Sequence, residues 1–295
     1  MRVFITGAAG FIGQATTKEL IANGHDVTGL ARNDANEEIL KKLGAKVLRG
    51  SLQDLDSLKK GAKDADGVIH LAFIHDFSTF AENGQVDRRA IEAMGGVLEG
   101  TNKPLIVTSG VAMLSPDGYA TEDMMRHQEG MPRQSEDAVF GFKDRGVRAM
   151  AMRLPQVHGG EGKAGFIGYL FEVARQKKLA AYVGDGGNRW AAAHRLDVAR
   201  CYRLALEKGV SGKAYHAVAD EGVTTRQFAD IFAKILKVET RSLTPDQAAE
   251  HFGWIAMFAG AGMAASSAKT QAELGWKPKE IGVVEDISKP GYFAA

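Results

Sequence analysis

Over its first 155 residues the chain alternates short apolar runs with longer stretches in which apolar positions recur three or four apart. Residues 3–5, 25–30, 45–50, 67–73, 104–110 and 147–154 are runs of strand length. Between them, residues 11–22, a short charged segment opened by Ser51, Leu52, Gln53 and Asp54, residues 81–99 and residues 132–140 read as helices. The run at 67–73 is almost wholly apolar, as a strand buried on both faces of a parallel sheet must be. Six strands with helical connections predict an α/β fold, a Rossmann-type doubly wound parallel sheet with right-handed crossovers and ligands outside the carboxyl ends of the strands. The residues of interest then lie at 7–12, 32, 71–75, 108–110 and 155–158.

From about residue 156 the pattern loosens. Glycines cluster at Gly159, Gly160, Gly162 and Gly165, and again at Gly184, Gly186 and Gly187, which suggests loops shaped around something. Asp197 is placed to cap a helix whose apolar face is Val198, Cys201, Tyr202, Ala205 and Leu206. Thr224 to Gln227 has the form of a capping box ahead of Phe228, Ile231, Phe232, Ile235 and Leu236. The apolar tract at 253–259 reads as a buried helix or the cover of a small pocket. The expected organisation is a Rossmann domain over 1–155, to which 191–220 returns, and a smaller C-terminal substrate-binding domain made of 156–190 and 221–295.

The first turn carries the most informative motif. Gly7, Gly10 and Gly13 follow the first strand at spacings of three and three and open the first helix. Gly7 permits a turn that side chains would block, Gly10 lets backbone N–H groups approach a pyrophosphate, and Gly13 lets the helix pack closely on the strand. The helix N-terminus, with Ala9, Phe11 and Ile12 around it, then faces the phosphates of a dinucleotide. At the end of the second strand an acidic residue would hold the ribose of NAD, whereas a basic one accommodates the 2′-phosphate of NADP. Arg32 stands there, a permanently charged planar group, so the expected cofactor is NADP(H).

Composition narrows the partners. The chain has 295 residues, 45% hydrophobic and 25% charged, close to the globular average. A net charge of +1 gives no case for nucleic acid or for an anionic membrane surface. Cys201 is the single cysteine, which excludes an internal disulfide and fits a reducing compartment. The first strand begins too early for a signal peptide, and the tract at 254–265 is too short to cross a bilayer. A cytoplasmic protein without membrane contact is expected. The histidines show no metal-ligand spacing, so no metal is expected.

Several segments resemble the extended short-chain dehydrogenase/reductase superfamily, which includes sugar-nucleotide epimerases and dehydratases. Residues 6–13 look like its cofactor signature, Gly50 to Asp54 like its third-strand motif near the adenine, and Val68 to Ala72 like its fourth-strand motif. Arg153 to Gly159 is similar to the segment beside the nicotinamide. Gly184 to Gly186 with Arg189, then His194 to Ala199, resembles the substrate-side loop and the helix after it. The resemblance runs over essentially the whole chain. It implies cofactor contacts at Ser51, Leu52, Leu71, Ala72, Pro155 and Val157, and a homodimer formed through helices at 81–99 and 132–143.

The sequence departs from the superfamily at its catalytic centre. The usual pair is Tyr-x-x-x-Lys, and none of the six tyrosines has it: Tyr119 is followed by Asp123, Tyr169 by Val173 and Tyr202 by Leu206. The chain looks like an atypical branch in which basic residues take over the role. The His-x-x-x-Arg spacing expected of that branch is also absent, since His127 is followed by Met131. The segment offers instead His127, Glu129 and Arg133 within seven residues.

Hydride transfer to a carbonyl develops negative charge on oxygen, so some group must donate a proton or a strong hydrogen bond. Ser109, or Thr108 beside it, ends the fifth strand where the superfamily keeps a hydroxyl for the substrate oxygen; the plain alternative is strand-end hydrogen bonding. Arg133 is a candidate for stabilising an oxyanion or holding the ribose, although its pKa makes it a poor proton donor. His127 could donate near neutral pH. His75, His158 and His194 fall at strand ends or site loops as candidate acids or substrate ligands, and Arg189 beside Trp190 suits an anionic or planar substrate group. The expected function is an NADPH-dependent carbonyl reductase acting on a small aldehyde or ketone with a non-standard proton donor. The alternatives are a sugar or sugar-nucleotide epimerase or dehydratase and a non-catalytic NADP-binding redox sensor.

Overall fold

The computed structural model describes residues 1–115, 118–125, 133–160 and 165–294. Its first half runs β1 (Arg2–Thr6), α1 (Phe11–Ala22), β2 (Asp26–Ala31), α2 (Asp34–Lys42), β3 (Lys46–Arg49), α3 (Leu55–Asp64), β4 (Gly67–His70), α4 (Phe80–Leu98), β5 (Pro104–Gly110), the two-residue β6 (Tyr119–Ala120), α5 (Ser135–Phe140) and β7 (Arg148–Leu154). The second half continues with β8 (Gln156–His158), α6 (Gly165–Lys177), β9 (Leu179–Val183), β10 (Arg189–His194), α7 (Arg195–Lys208), β11 (Lys213–His216), β12 (Asp220–Thr224) and α8 (Thr225–Leu236). It closes with β13 (Glu239–Leu243), α9 (Pro245–Phe252), α10 (Ala256–Gly260), β14 (Ala264–Ala265), α11 (Ala268–Leu274) and α12 (Val283–Ile287).

The main sheet has the order β11-β7-β5-β4-β1-β2-β3, with every pair parallel. The doubly wound sheet expected from the sequence is present, with a seventh strand. β11 comes from the second half and pairs with β7, Tyr215 opposite Met152. The strand order reverses between β1 and β4, which opens a crevice beyond their carboxyl ends.

β1 shows why its run lacks polar alternation. Val3 and Ile5 face a core shared with Leu20 of α1 and Val198 and Tyr202 of α7, while Phe4 faces Leu58 of α3 and Ile91 and Met94 of α4. Both faces are covered, and each fully buried side chain such as Phe4 or Leu20 contributes roughly 1.5–3 kcal/mol. A separate core in the second half gathers Phe171, Trp190, Phe228, Phe232 and Phe252 around small sheets, β12-β10-β8 and β13-β9.

Several local expectations shift. The fourth strand ends at His70, and residues 71–75 form the loop beyond it. The helix read from 132 starts at Ser135. α7 is capped by His194, whose Nδ1 accepts from Leu196 N, and Asp197 instead accepts from the backbone N–H of Lys279 and Glu280. The competing demand of the C-terminal segment took Asp197 from the cap. Thr224 and Gln227 do form a capping box, and Cys201 is fully buried. Ile235, assigned to the apolar face of α8, is 41% exposed. Residues 253–260 form a 3-10 turn and the short α10 in place of one buried helix, with Trp254 and Met257 exposed.

Two glycines separate close packing from simple turn-making. A Cβ on Gly13 would stand 2.0 Å from the Gly7 carbonyl oxygen, whereas one on Gly96, in the last turn of α4, would meet nothing nearer than 4.0 Å. Gly13→Ala is expected to destabilise by roughly 2–3 kcal/mol through overpacking, and Gly96→Ala to stabilise by roughly 0.5–1 kcal/mol. Urea unfolding of the two variants measures both signs.

Buried histidines set a pH dependence. Burial, opposed by the Ser266 carbonyl and reinforced by the Arg153 charge, pushes His216 down to about 4. Burial also lowers His194. Because the folded values lie below the unfolded ones, the unfolded chain binds more protons in acid, so stability falls as pH drops from about 6.5 toward 4. The thermal midpoint should be lower at pH 5 than at pH 7.5; an unchanged midpoint contradicts this account.

Candidate functional site

The crevice at the β1/β4 reversal is a cleft of about 670 Å³, within the usual range for small-molecule sites. Its floor is the glycine loop. Gly7 has φ +72° and a Cβ there would press 2.8 Å from Ala72 N. Gly10 is different: its nearest contact would be the Gly7 oxygen at 3.2 Å, so its outer side is open. No side chain caps α1, and its first turn holds no acidic residue. The free N–H groups of Phe11 and Ile12 therefore face the cleft with the positive end of the helix, a ready anion cradle. This geometry fits a dinucleotide pyrophosphate.

One end of the cleft is lined by Arg32, Asn36, Ser51 and Leu52. Two of the acids that follow Arg32 are already occupied: Arg49 pairs with Asp34 at 3.0 Å and with Glu37 at 3.3 Å. Among the described residues Arg32 has no ion-pair partner. The other end is lined by Leu71, Ala72, His75, Thr108, Ser109, Arg133, Pro155 and Val157. Ala9 lines the floor with Gly7, Gly10, Phe11 and Ile12.

The two hydroxyls at the end of β5 differ. Thr108 Oγ1 donates to the His70 carbonyl at 2.7 Å and meets the Tyr202 hydroxyl at 2.7 Å, so it is engaged on the inner side of the sheet. Ser109 Oγ has no partner among the described residues and is left for the cleft.

Arg133 is held from behind. Its Nη2 donates to the Thr108 carbonyl at 2.7 Å, its Nε donates to Ser135 Oγ at 2.9 Å, and its guanidinium carbon lies 4.1 Å from the centroid of the Phe73 ring. Burial lowers its pKa from the ordinary value, opposed by the charge of Asp87. Ser135 passes the connection inward, donating to Asp87 Oδ2 at 2.5 Å. Asp87 Oδ1 accepts from His70 Nε2 at 3.1 Å, and His70 Nδ1 meets Thr6 Oγ1 at 2.7 Å, whose oxygen accepts from Ala72 N. With the His70 proton on Nε2, every donor in this chain has an acceptor. Against the cost of burial, the His70, Arg133 and Ser135 partners keep the Asp87 pKa below the usual carboxylate value.

The remaining candidates are dispersed. His75 sits at the rim, and loss of hydration followed by the nearby Arg133 charge lowers its pKa. His158 is buried and pairs through Nδ1 with Asp286 at 2.9 Å. His194 caps α7. Neither lines the cleft, because β8 and β10 turn them toward each other with ring centroids 5.3 Å apart. Arg189 opens on a different surface pocket beside Tyr119 and Gly262, while Trp190 is fully buried. His127 and Glu129 lie outside the described residues. Among the described residues no cluster of His, Cys, Asp or Glu could hold a metal, and no helix is long and apolar enough to cross a membrane.

Sequence reasoning missed Asp87, His70 and Thr6. Asp87 sits in a helix read as polar, yet it falls in register with Ala90, Ile91 and Met94 on the buried face. A charge on an apolar stripe was the available signal.

A parallel doubly wound sheet with a glycine-lined cleft at its reversal point defines a dinucleotide-binding protein of the Rossmann class. Comparison with known proteins narrows this. The profile of the NAD dependent epimerase/dehydratase family matches residues 3–114. The chain is 44% identical to the uncharacterized protein YLL056C of Saccharomyces cerevisiae over 97% of its length and 98% of that protein's. It is 27% identical to 2-alkyl-3-oxoalkanoate reductase of Stenotrophomonas maltophilia over 78% of this chain and 74% of the relative. Among solved structures, dTDP-glucose 4,6-dehydratase from Streptomyces venezuelae, with NAD bound, has the same fold, with a TM-score of 0.78 at 17% identity over 98% of this chain and 95% of that one. The chain belongs to the NAD dependent epimerase/dehydratase family of the extended short-chain dehydrogenase/reductase superfamily.

The carboxylate that ties Arg133 to the sheet gives a stability test. Asp87→Ala leaves His70 and Ser135 without an acceptor in a dry interior and should cost about 3–5 kcal/mol. Asp56→Ala, on an exposed carboxylate, should stay within about 0.5 kcal/mol. Denaturant midpoints of the pair measure the contrast.

Proposed function

We propose that this protein is an NADPH-dependent carbonyl reductase acting on a small aldehyde or ketone, with Ser109 and Arg133 in place of the usual tyrosine and lysine. The observation that carries this reading is the fixed guanidinium of Arg133, held by Ser135 and the Thr108 carbonyl in the same cleft as the glycine loop and the Ser109 hydroxyl, which has no partner among the described residues. The reductase name among the relatives supports it.

When bound, the nicotinamide supplies the hydride. Ser109 Oγ donates a hydrogen bond to the substrate carbonyl oxygen and passes its proton as charge builds there, regaining one from water in the open cleft. Arg133 stabilises the developing negative charge as a permanent cation, which does not require it to lose a proton. His75, whose pKa is lowered, is neutral at pH 7 and is assigned to the rim and not to proton donation. At the opposite end, Arg32 receives the 2′-phosphate, with Asn36 beside it.

The purified protein should oxidise NADPH in the presence of a 3-oxoalkanoate or a simple aldehyde. Ser109→Ala should lower kcat by about 100-fold with NADPH affinity preserved, and Arg32→Asp should weaken NADPH binding by about tenfold or more while sparing NADH. Unchanged turnover in Ser109→Ala would sink its role. Cofactor that co-purifies and is never released would favour an epimerase or dehydratase, and NADPH binding with no turnover on any carbonyl would favour a redox sensor.

A further inference from the structure

We infer that Arg195 is a ligand for the pyrophosphate of the bound dinucleotide, an assignment that rests on the reading of the cleft as a dinucleotide site.

Arg195 opens α7, far in sequence from the glycine loop, and the fold brings it back. β8 and β10 pair in parallel with His158 opposite His194, so the turn after β8 lies against the start of α7. That turn is Gly159-Gly160, with φ of +103° and +77°. A Cβ on Gly160 would stand 2.5 Å from Arg195 Nη2 and 2.7 Å from its Cζ. The guanidinium therefore fills the space that the absent side chain leaves. On the other side its Cζ lies 5.0 Å from the centroid of the Phe11 ring. Phe11 is the first residue of α1 and lines the cleft.

The electrostatic setting points to an anion. Arg200 and Arg203 on the same helix are both paired, Arg200 with Asp197 and Glu280 and Arg203 with Glu19 and Glu207. Arg195, part-buried, has no hydrogen-bond or ion-pair partner among the described residues. It stands beside the positive end of an uncapped helix whose first turn holds no acid. Among the described residues no counter-charge faces this cation, and an anion in the cleft would supply one. A pyrophosphate carries two negative charges and presents paired oxygens that suit a planar guanidinium. The N–H groups of Phe11 and Ile12 hold it from the loop side, and Arg195, which is not itself part of the cleft wall, reaches it from α7 past the Phe11 ring. Gly160 is thereby explained as the slot for the arginine, while Gly159 leaves room for the His194 ring.

The test separates the pyrophosphate from the rest of the dinucleotide. Dissociation constants for NADP+, NAD+ and 2′-AMP, which lacks a pyrophosphate, are measured by titration calorimetry on the unmodified protein, Arg195→Gln and Arg195→Lys, with thermal unfolding of each. Arg195→Gln should weaken both dinucleotides about tenfold or more, leave 2′-AMP and the thermal midpoint unchanged, and be partly rescued by Arg195→Lys. Equal dinucleotide affinity in Arg195→Gln overturns the assignment, as does an equal loss for 2′-AMP, which marks a structural role. Failure of the unmodified protein to bind either dinucleotide removes the reading of the cleft itself, and the assignment with it.

Discussion

The carboxylate of Asp87 is the constraint on which the site depends. It is buried on the inner face of α4, where an unpaired charge would cost several kcal/mol. It therefore requires partners, and the partners it takes, His70 and Ser135, link two halves of the site. Through His70 it reaches Thr6 at the root of the glycine loop. Through Ser135 it reaches Arg133 at the other end of the cleft. The loop that cradles phosphate and the guanidinium proposed to meet the substrate are thus positioned by one hydrogen-bonded chain, so that movement of either end leaves a buried polar group unsatisfied.

Charge in the cleft is arranged by subtraction as much as by placement. Asp34 and Glu37 are taken up by Arg49, and Asp197 by the backbone of the C-terminal segment and by Arg200. These acids are in this way neutralised by neighbours, leaving Arg32, Arg133, the helix N-terminus and, on the inference above, Arg195 as electrostatic features that a bound anion meets. Thr108 follows the same logic among hydroxyls. Its bonds to His70 and Tyr202 fix the end of β5 and leave Ser109 as the hydroxyl open to the cleft.

Much of the fold was legible because its signals are local. The turn at Gly7, the capping box at Thr224 and the buried face of α7 are set by residues within a few positions of one another. The errors were cases in which a distant segment competed. Asp197 had the right spacing for a cap and lost that role to Lys279 and Glu280, more than eighty positions away. β11 lies in the 191–220 stretch expected to return to the first domain, but its four residues are too short a run for a local pattern to specify their pairing with β7.

By itself the sequence determined that the chain forms a parallel α/β sheet with a phosphate-accepting glycine loop, that Arg32 and no acid ends the second strand, and that the tyrosine-lysine pair is missing. These follow from steric and periodic rules that act over a few residues. Only the tertiary structure decided which candidate side chains share one cleft. It brought Arg133 to Ser109 and turned His158, His194 and Arg189 elsewhere. It also placed Asp87 and Arg195 where their charges matter, because burial and the identity of a charge's neighbours are properties of the packed chain and not of spacing along it.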